Sequence, residues 1–116
     1  MATPGLAYGG DSLIPFFDAS ASAAVETMKA APGRLGYIEV YNQNATGIFL
    51  QLFDADTVTL GSTTPKLSLF VPGSSAIREA LPAPFDFTRS IKYAVTATAT
   101  GSTAPAAAGV LNAGYR

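Results

Sequence analysis

The chain has 116 residues, of which 48% are hydrophobic and only 13% are charged, and its formal net charge is -1. This length fits one domain. So few charges leave little electrostatic repulsion to oppose association. We therefore expect a surface rich in Thr, Ser, Ala and Gly, which suits a protein that works while docked to a larger body.

The sequence contains neither Cys nor His. Their absence excludes disulfides, thiolate nucleophiles, zinc sites with soft ligands and imidazole acid–base catalysis. No stretch approaches the ~18 consecutive apolar residues that span a bilayer, and no secretion signal is evident at the N-terminus. The seven Lys and Arg are scattered, which argues against a nucleic-acid-binding stripe. We predict no membrane partner and no nucleic-acid partner.

The first 24 residues are rich in Gly, Ala and Ser and contain an apolar cluster at residues 13–17. This composition predicts an extended N-terminal arm over residues 1–24, followed by a folded domain over residues 25–116. Helix propensity alone would allow a short helix over residues 20–31. We favour a strand near residues 25–30, because side-chain types alternate there.

From residue 34 onward, apolar and polar side chains alternate as they do in half-buried strands. The segments 37–41 and 48–53 are joined by an Asn- and Gly-containing turn, and we predict that they pair as a hairpin. Further strands are predicted at residues 67–71, 75–81, 91–98 and 109–115. Frequent Pro and Gly leave little room for helices. The pattern predicts an all-β, single-domain antiparallel β-sandwich similar to a jelly roll.

A short sequence echo joins two predicted loops: GSTTP at residues 61–65 recurs as GSTAP at residues 101–105. In the simpler interpretation, Gly supplies a positive φ, the hydroxyls bond local backbone and Pro ends the turn. In the other, the two loops form a matched docking surface at one end of the sandwich. The echo is too short to indicate a duplication.

Residues that could support catalysis or metal binding are sparse. Asp54 and Asp56 on one loop could share a hard cation, but the Gly and the later Glu of a calcium loop are missing, and a solvated turn explains them as well. The remaining carboxylates are scattered, and there is no nucleophile elbow and no phosphate-binding loop. We predict that the protein is not an enzyme and binds no metal and no cofactor.

Two aromatic segments are candidates for contacts with a partner. The segment PAPFDF at residues 82–87 is stiff, and its aromatic residues either enter the core or form a contact ridge. The apolar cluster of the arm allows the same two interpretations. The candidate contact residues are Leu13, Ile14, Phe16, Phe17, Phe85 and Phe87.

Several segments carry a resemblance to known proteins: GYIEVYN at 36–42, FLQLFDA at 49–55, LGSTTP at 60–65, ATATGSTAP at 97–105 and the terminal GYR. In these, residues 33–116 resemble small virion structural proteins of tailed bacteriophages, including capsid decoration (cement) proteins. The resemblance implies a β-sandwich or jelly roll, located on the capsid exterior. Such a protein binds the major capsid protein, bridges its subunits and acts as a homodimer or homotrimer without a cofactor. A tail, neck or fibre component and a receptor- or carbohydrate-binding module remain alternatives.

Overall fold

The computed structural model describes residues 13–81 and 85–116, and these residues contain nine β-strands and no helix. The strands are β1 (Ile14–Ala21), β2 (Glu26–Lys29), β3 (Gly33–Asn42), β4 (Ile48–Phe53), β5 (Leu67–Val71), β6 (Ala76–Ala80), β7 (Asp86–Phe87), β8 (Ile91–Thr96) and β9 (Gly109–Tyr115). The all-β prediction is confirmed.

The strands form two antiparallel sheets that pack against each other. In the first sheet the order is β1-β9-β3-β6, with the short β7 also paired to β3, and in the second it is β2-β8-β4-β5. Neighbours in each sheet mostly come from distant parts of the chain. The first sheet thus has five strands and the second has four; apart from the two-residue β7, the strand order is that of a jelly roll. The predicted sandwich is confirmed.

The core lies between the sheets and is built from the alternating apolar residues. Its largest fully buried side chains are Tyr93, Phe53, Phe87, Leu35, Ile38, Ile48, Leu50, Leu52, Ile91, Leu111, Gln51 and Val40. Leu35 and Ile38 are both buried although they are three positions apart, because the pairing of β3 with β9 shifts register around Gly36. That irregularity keeps the apolar side chains of β3 on the inner face.

Part of the predicted N-terminal arm belongs to the sandwich. β1 pairs with β9 along the edge of the first sheet, and the hydroxyl of Tyr93 on β8 donates to the Asp18 carboxylate at 2.5 Å. Burial, followed by that carboxylate, raises the pKa of Tyr93, so its hydroxyl stays protonated and keeps donating. β1 is therefore fastened across the core. Residues 1–12 of the predicted arm lie outside the described residues.

The predicted hairpin of β3 and β4 is wrong. β3 pairs with β6, β7 and β9, whereas β4 pairs with β5 and β8, so the two strands lie in different sheets. Residues 43–47 are the connection between the sheets. The strand predicted near residues 25–30 is β2, and the alternative helix over residues 20–31 is absent.

Two buried Asn side chains hold this connection, which we call the Asn42–Asn44 junction. The Asn42 Nδ2 donates to the backbone oxygens of Thr46 at 2.8 Å, Val71 at 3.1 Å and Pro72 at 3.0 Å. Its Oδ1 accepts from the Asn44 backbone N–H at 2.8 Å and from Asn44 Nδ2 at 2.9 Å. Asn42 is fully buried, so each of these bonds replaces one that water would otherwise make.

Asn44 extends the junction to the segment that precedes β9. Its Nδ2 donates to the Ala107 oxygen at 2.9 Å, and its Oδ1 accepts from the Ala107 N–H at 2.7 Å. The junction thus joins the β3–β4 connection, the end of β5 and the approach to β9 in one hydrogen-bonded network.

We predict that Asn42→Asp lowers the free energy of unfolding by about 3 kcal/mol, because a buried acceptor would then face three carbonyl oxygens. Urea denaturation at neutral pH measures this loss. The matched control is Gln43→Glu, the same amide-to-acid change at an exposed side chain with one bond, to the Ala108 oxygen. We expect that control to lose less than about 1 kcal/mol. Equal losses in the two variants would show that the junction is not a special point of the fold.

Candidate functional site

The centre of the outer face of the second sheet is covered by the protein's own loops, and Phe70 of β5 stays 53% exposed. Gln51 of β4 points outward, yet its side chain is buried. Its Nε2 donates to Thr96 Oγ1 at 2.6 Å and to the Gly101 oxygen at 3.1 Å. Ser68 of β5 donates to the Ala99 oxygen at 2.7 Å. The segment 97–103 therefore lies across this face and excludes solvent from its centre.

The two loops of the sequence echo meet over the same face. A Cβ placed on Gly61 would lie 3.7 Å from the Ser102 side chain, and Gly61 has a φ of +86°. The expectation of a positive φ holds for Gly61. Gly101 is needed for a different reason, since a Cβ there would overlap Thr98 Oγ1. The loops contact each other and so help to close the second sheet.

By contrast, large aromatic side chains on the outer face of the first sheet are exposed, and no other described residues cover them. Phe17 of β1 is 63% exposed, Tyr41 of β3 is 46% exposed and Tyr37 of β3 is 40% exposed. Side chains alternate along a strand, and the registers of β1, β9 and β3 place all three on one side. We call this surface the aromatic face.

A single ion pair lies within the aromatic face. Arg78 Nε of β6 donates to Glu39 Oε2 of β3 at 2.6 Å. Together with Tyr37 these residues line an open groove of about 400 Å³ along β3 and β6. Glu79 also lines this groove, so the face combines apolar rings with one ion pair and one further carboxylate.

Three of the predicted contact residues lie at the surface. Leu13, Ile14 and Phe17 are exposed. Leu13 lies against Gly36, where a Cβ would come within 2.6 Å of Leu13 Cδ1, and so borders the aromatic face. Their role in binding stays a prediction.

The other three predicted contact residues pack against or within the core: Phe16 and Phe85 are partly buried and Phe87 is buried. Phe16 meets the Tyr93 ring edge-on at 5.7 Å, and Phe85 meets Phe87 at 5.7 Å. Phe87 is only 2% exposed, so the prediction that it contacts a partner is wrong: its ring fills the core. Phe85 is partly buried against the core, and Lys66 Nζ lies 5.8 Å from its ring centre. Residues 82–84 of the predicted ridge lie outside the described residues.

Tyr37 and Tyr41 are exposed aromatic residues that the sequence pattern did not single out as contact candidates. Both residues lie in a predicted strand, but the prediction concerned only the side of that strand that faces the core. The alternation that turns Ile38 and Val40 inward turns Tyr37 and Tyr41 outward. The signal in the sequence was the placement of two aromatic residues on the same strand face as Glu39, one on each side of it.

Asp54 and Asp56 fasten a loop. Asp54 accepts from the backbone N–H groups of Thr88 and Arg89, each at 2.8 Å, and Asp56 pairs with Arg89 Nη1 at 3.1 Å. Partial burial works to raise the pKa of Asp54, but the backbone N–H groups of residues 88–90 outweigh it, so that pKa lies below its usual value. Within residues 13–81 and 85–116 no three Asp, Glu, His or Cys residues are grouped as metal ligands.

The chain matches no protein-family model, and comparison with curated proteins and with solved structures finds no significant match. The part of the chain that the structure describes contains no helix long and apolar enough to cross a membrane.

We predict that Asp54→Asn costs about 1 kcal/mol of stability at neutral pH, after allowance for solvent exposure, because a charged acceptor of two backbone N–H bonds is lost. The folded-state pKa of Asp54 is lowered, so its contribution is complete above the unfolded pKa and disappears as pH falls through the folded value. Thermal unfolding of the wild type and the variant should therefore converge below about pH 4. Asp56→Asn, which removes one exposed ion pair, is the control and should change stability by less than about 0.5 kcal/mol. A difference that persists unchanged into acid would contradict the role given to Asp54.

Proposed function

We propose that this protein is a structural component of a tailed-bacteriophage virion, a capsid decoration (cement) protein that binds the exterior of the major capsid shell and bridges its subunits. The observation that carries the proposal is the aromatic face. Loops of the chain itself cover the centre of one sheet and leave Phe70 exposed beside them, while the other sheet presents three aromatic residues, Phe17, Tyr37 and Tyr41, to solvent.

The aromatic face has the chemistry of an adhesive surface. Aromatic rings bury much apolar area and lose little side-chain entropy on binding, so they carry a large share of the energy at protein interfaces. Glu39 and Arg78 already compensate each other, so covering them does not leave an unpaired charge. A chain with only 13% charged residues adds little repulsion against a neighbouring surface.

The fold is compatible with this role and does not determine it. Jelly rolls occur in viral capsid proteins and in lectins alike, and one fold serves many functions. The assignment to a phage particle rests on the resemblance carried by the segments from GYIEVYN to the terminal GYR. A decoration protein of this kind acts as a homodimer or homotrimer, so that individually weak faces add up to durable attachment.

We predict that the double variant Phe17→Ala with Tyr41→Ala weakens binding to expanded, undecorated phage capsids by at least about tenfold, since aromatic anchors dominate such interfaces. Sedimentation of the protein with capsids measures the bound fraction. The matched control is Phe70→Ala, because Phe70 is 53% exposed but belongs to β5 of the second sheet. Circular dichroism verifies that each variant is folded.

The proposal fails if the wild type does not bind capsids, or if the Phe70 variant is as defective as the double variant. Cryo-electron microscopy of intact particles provides an independent test. Many copies arrayed on the shell support a decoration protein, whereas a few copies at one vertex indicate the tail, neck or fibre alternative.

The groove beside Tyr37 favours carbohydrate binding as a second candidate. An exposed aromatic ring next to a carboxylate and a guanidinium, here Glu39 and Arg78, can stack on a sugar and bond its hydroxyls. Binding to a glycan array that is lost in Tyr37→Ala, together with no binding to capsids, would favour this candidate over the decoration protein.

A further inference from the structure

β1 forms one edge of the first sheet. Among the described residues it pairs with β9 on one side only, so its other side is an open strand edge. β1 is eight residues long, and Asp18 is its single charged residue. The Asp18 carboxylate already accepts from the Tyr93 hydroxyl and from the Ser20 N–H. A long edge that carries no unengaged charge is a template for pairing with another chain.

The orientation of the backbone along β9 follows from a hydrogen-bonded pair at its end. The N–H groups of Arg34 and Arg116 each donate to the other residue's oxygen at 2.9 Å. In an antiparallel ladder, residues that exchange both hydrogen bonds alternate with residues that exchange none. Gly114 and Asn112 of β9 therefore turn their backbone groups to β3, and the residues between them turn theirs to β1.

The same alternation continues into β1. Phe16 lies opposite Ala113 and turns its backbone groups to β9, so Pro15 and Phe17 turn theirs to the open edge. Pro15 fits this orientation, because a Pro that faced β9 would interrupt the ladder. Phe17 thus offers both an N–H and a C=O to a further strand, and its ring is 63% exposed.

The opposite edge of the first sheet, β6, is unsuited to the same contact. The Asn42 N–H donates to the Ser75 oxygen, and the Leu81 N–H donates to the Gly36 oxygen. With that register Arg78 turns its backbone groups to the open edge of β6. A second copy paired there would place Arg78 opposite its own counterpart, and like charges directly opposite each other are destabilising.

We propose that two copies of this chain pair through β1, with the strands antiparallel and Phe17 of one copy opposite Phe17 of the other. The two Phe17 residues then exchange both backbone hydrogen bonds. A register centred on Phe16 would instead place Phe17 opposite Pro15, which has no N–H to donate. In the proposed register the Phe17 rings form a cross-strand aromatic pair, which is stabilising. Asp18 of each copy faces Phe16 of the other, so no like charges are opposed.

This pairing deepens the proposed function, on which the biological use of such a homodimer rests. Two antiparallel edges are related by a twofold axis perpendicular to the sheet, so the outer faces of both copies point the same way. The two first sheets become continuous, and their aromatic faces lie side by side on one surface. Two weak attachments to a shell would then act together.

Hydrogen exchange of the wild-type protein tests the pairing without any substitution. We expect sedimentation equilibrium to give the mass of two chains at high protein concentration and of one chain on dilution. The Phe17 amide should exchange at least about tenfold more slowly in the dimer, because its N–H gains an acceptor. The Phe16 amide is the matched control, since it faces β9 and should be protected in both states.

Two substitutions by lysine distinguish β1 from another edge with an exposed aromatic residue. Phe17→Lys should weaken dimerisation by about tenfold or more, because two ammonium groups would oppose each other. Phe70→Lys makes the same change on β5, an edge of the second sheet, where the Phe70 ring packs on Phe49 at 5.3 Å. We expect this control to leave the dimer affinity unchanged, and circular dichroism verifies that both variants are folded.

The inference is overturned by a protein that sediments as one chain at every concentration, or by a Phe17 amide that exchanges equally fast in one chain and in the dimer. Equal disruption by Phe70→Lys and Phe17→Lys also overturns it. Capsid binding is scored separately. A monomer that binds capsids refutes the pairing alone, whereas a dimer paired through Phe17 that does not bind capsids refutes the proposed function alone.

Discussion

The Asn42–Asn44 junction is the polar constraint on which the topology of this sandwich depends. At this end of the molecule the chain leaves one sheet and enters the other, and backbone groups that would otherwise pair along a strand must find partners elsewhere. The Asn42 side chain supplies three donor contacts and two acceptor contacts while it is fully buried. Apolar packing is non-directional and could accommodate other connections, whereas this network fits one arrangement of the loops.

The outer faces of the two sheets differ in how far other parts of the chain shield them from solvent. The second sheet is covered by the segment 97–103 and by the contact between Gly61 and Ser102. The first sheet leaves its aromatic rings in water and has no comparable cover among the described residues. This asymmetry gives the molecule a closed side and an open side, which is the arrangement expected of a protein that attaches to a surface in one orientation.

Periodicity in the sequence predicted strands well and their partners poorly. The bounds of β4 and β9 are those predicted, because alternation and flanking Gly residues are local properties. The hairpin prediction failed because the Asn- and Gly-containing residues 42–47 suit a tight turn as well as a crossing between sheets. What decides between them is the environment of Asn42, and its long-range partners Val71 and Pro72 are not visible in local sequence.

The candidate site was predicted only in part, again because long-range pairing of strands is not visible in the local sequence. The exposure of a side chain depends on which side of its strand faces the core. For Phe17 that side is set by the pairing of β1 with β9, which the local sequence does not show. Phe87 was a plausible anchor by composition, but it lies in β7 beside the start of β3 and fills the core. The groove between the start of β3 and the end of β9 could not be predicted, since its lining residues Lys29, Arg34 and Arg116 converge only through the pairing of distant strands.

The position of β9 has a consequence for how the polypeptide acquires its shape during synthesis. β9 lies between β1 and β3, so a strand that is synthesised after both of them occupies the middle of the first sheet. Until residues 109–115 leave the ribosome, β1 has no neighbour and β3 offers an open edge to any other nascent chain. Such non-local pairing closes slowly, on a scale of about milliseconds to seconds. The edges of β1 and β3 are thus exposed to mispairing until β9 has been synthesised and has inserted between them.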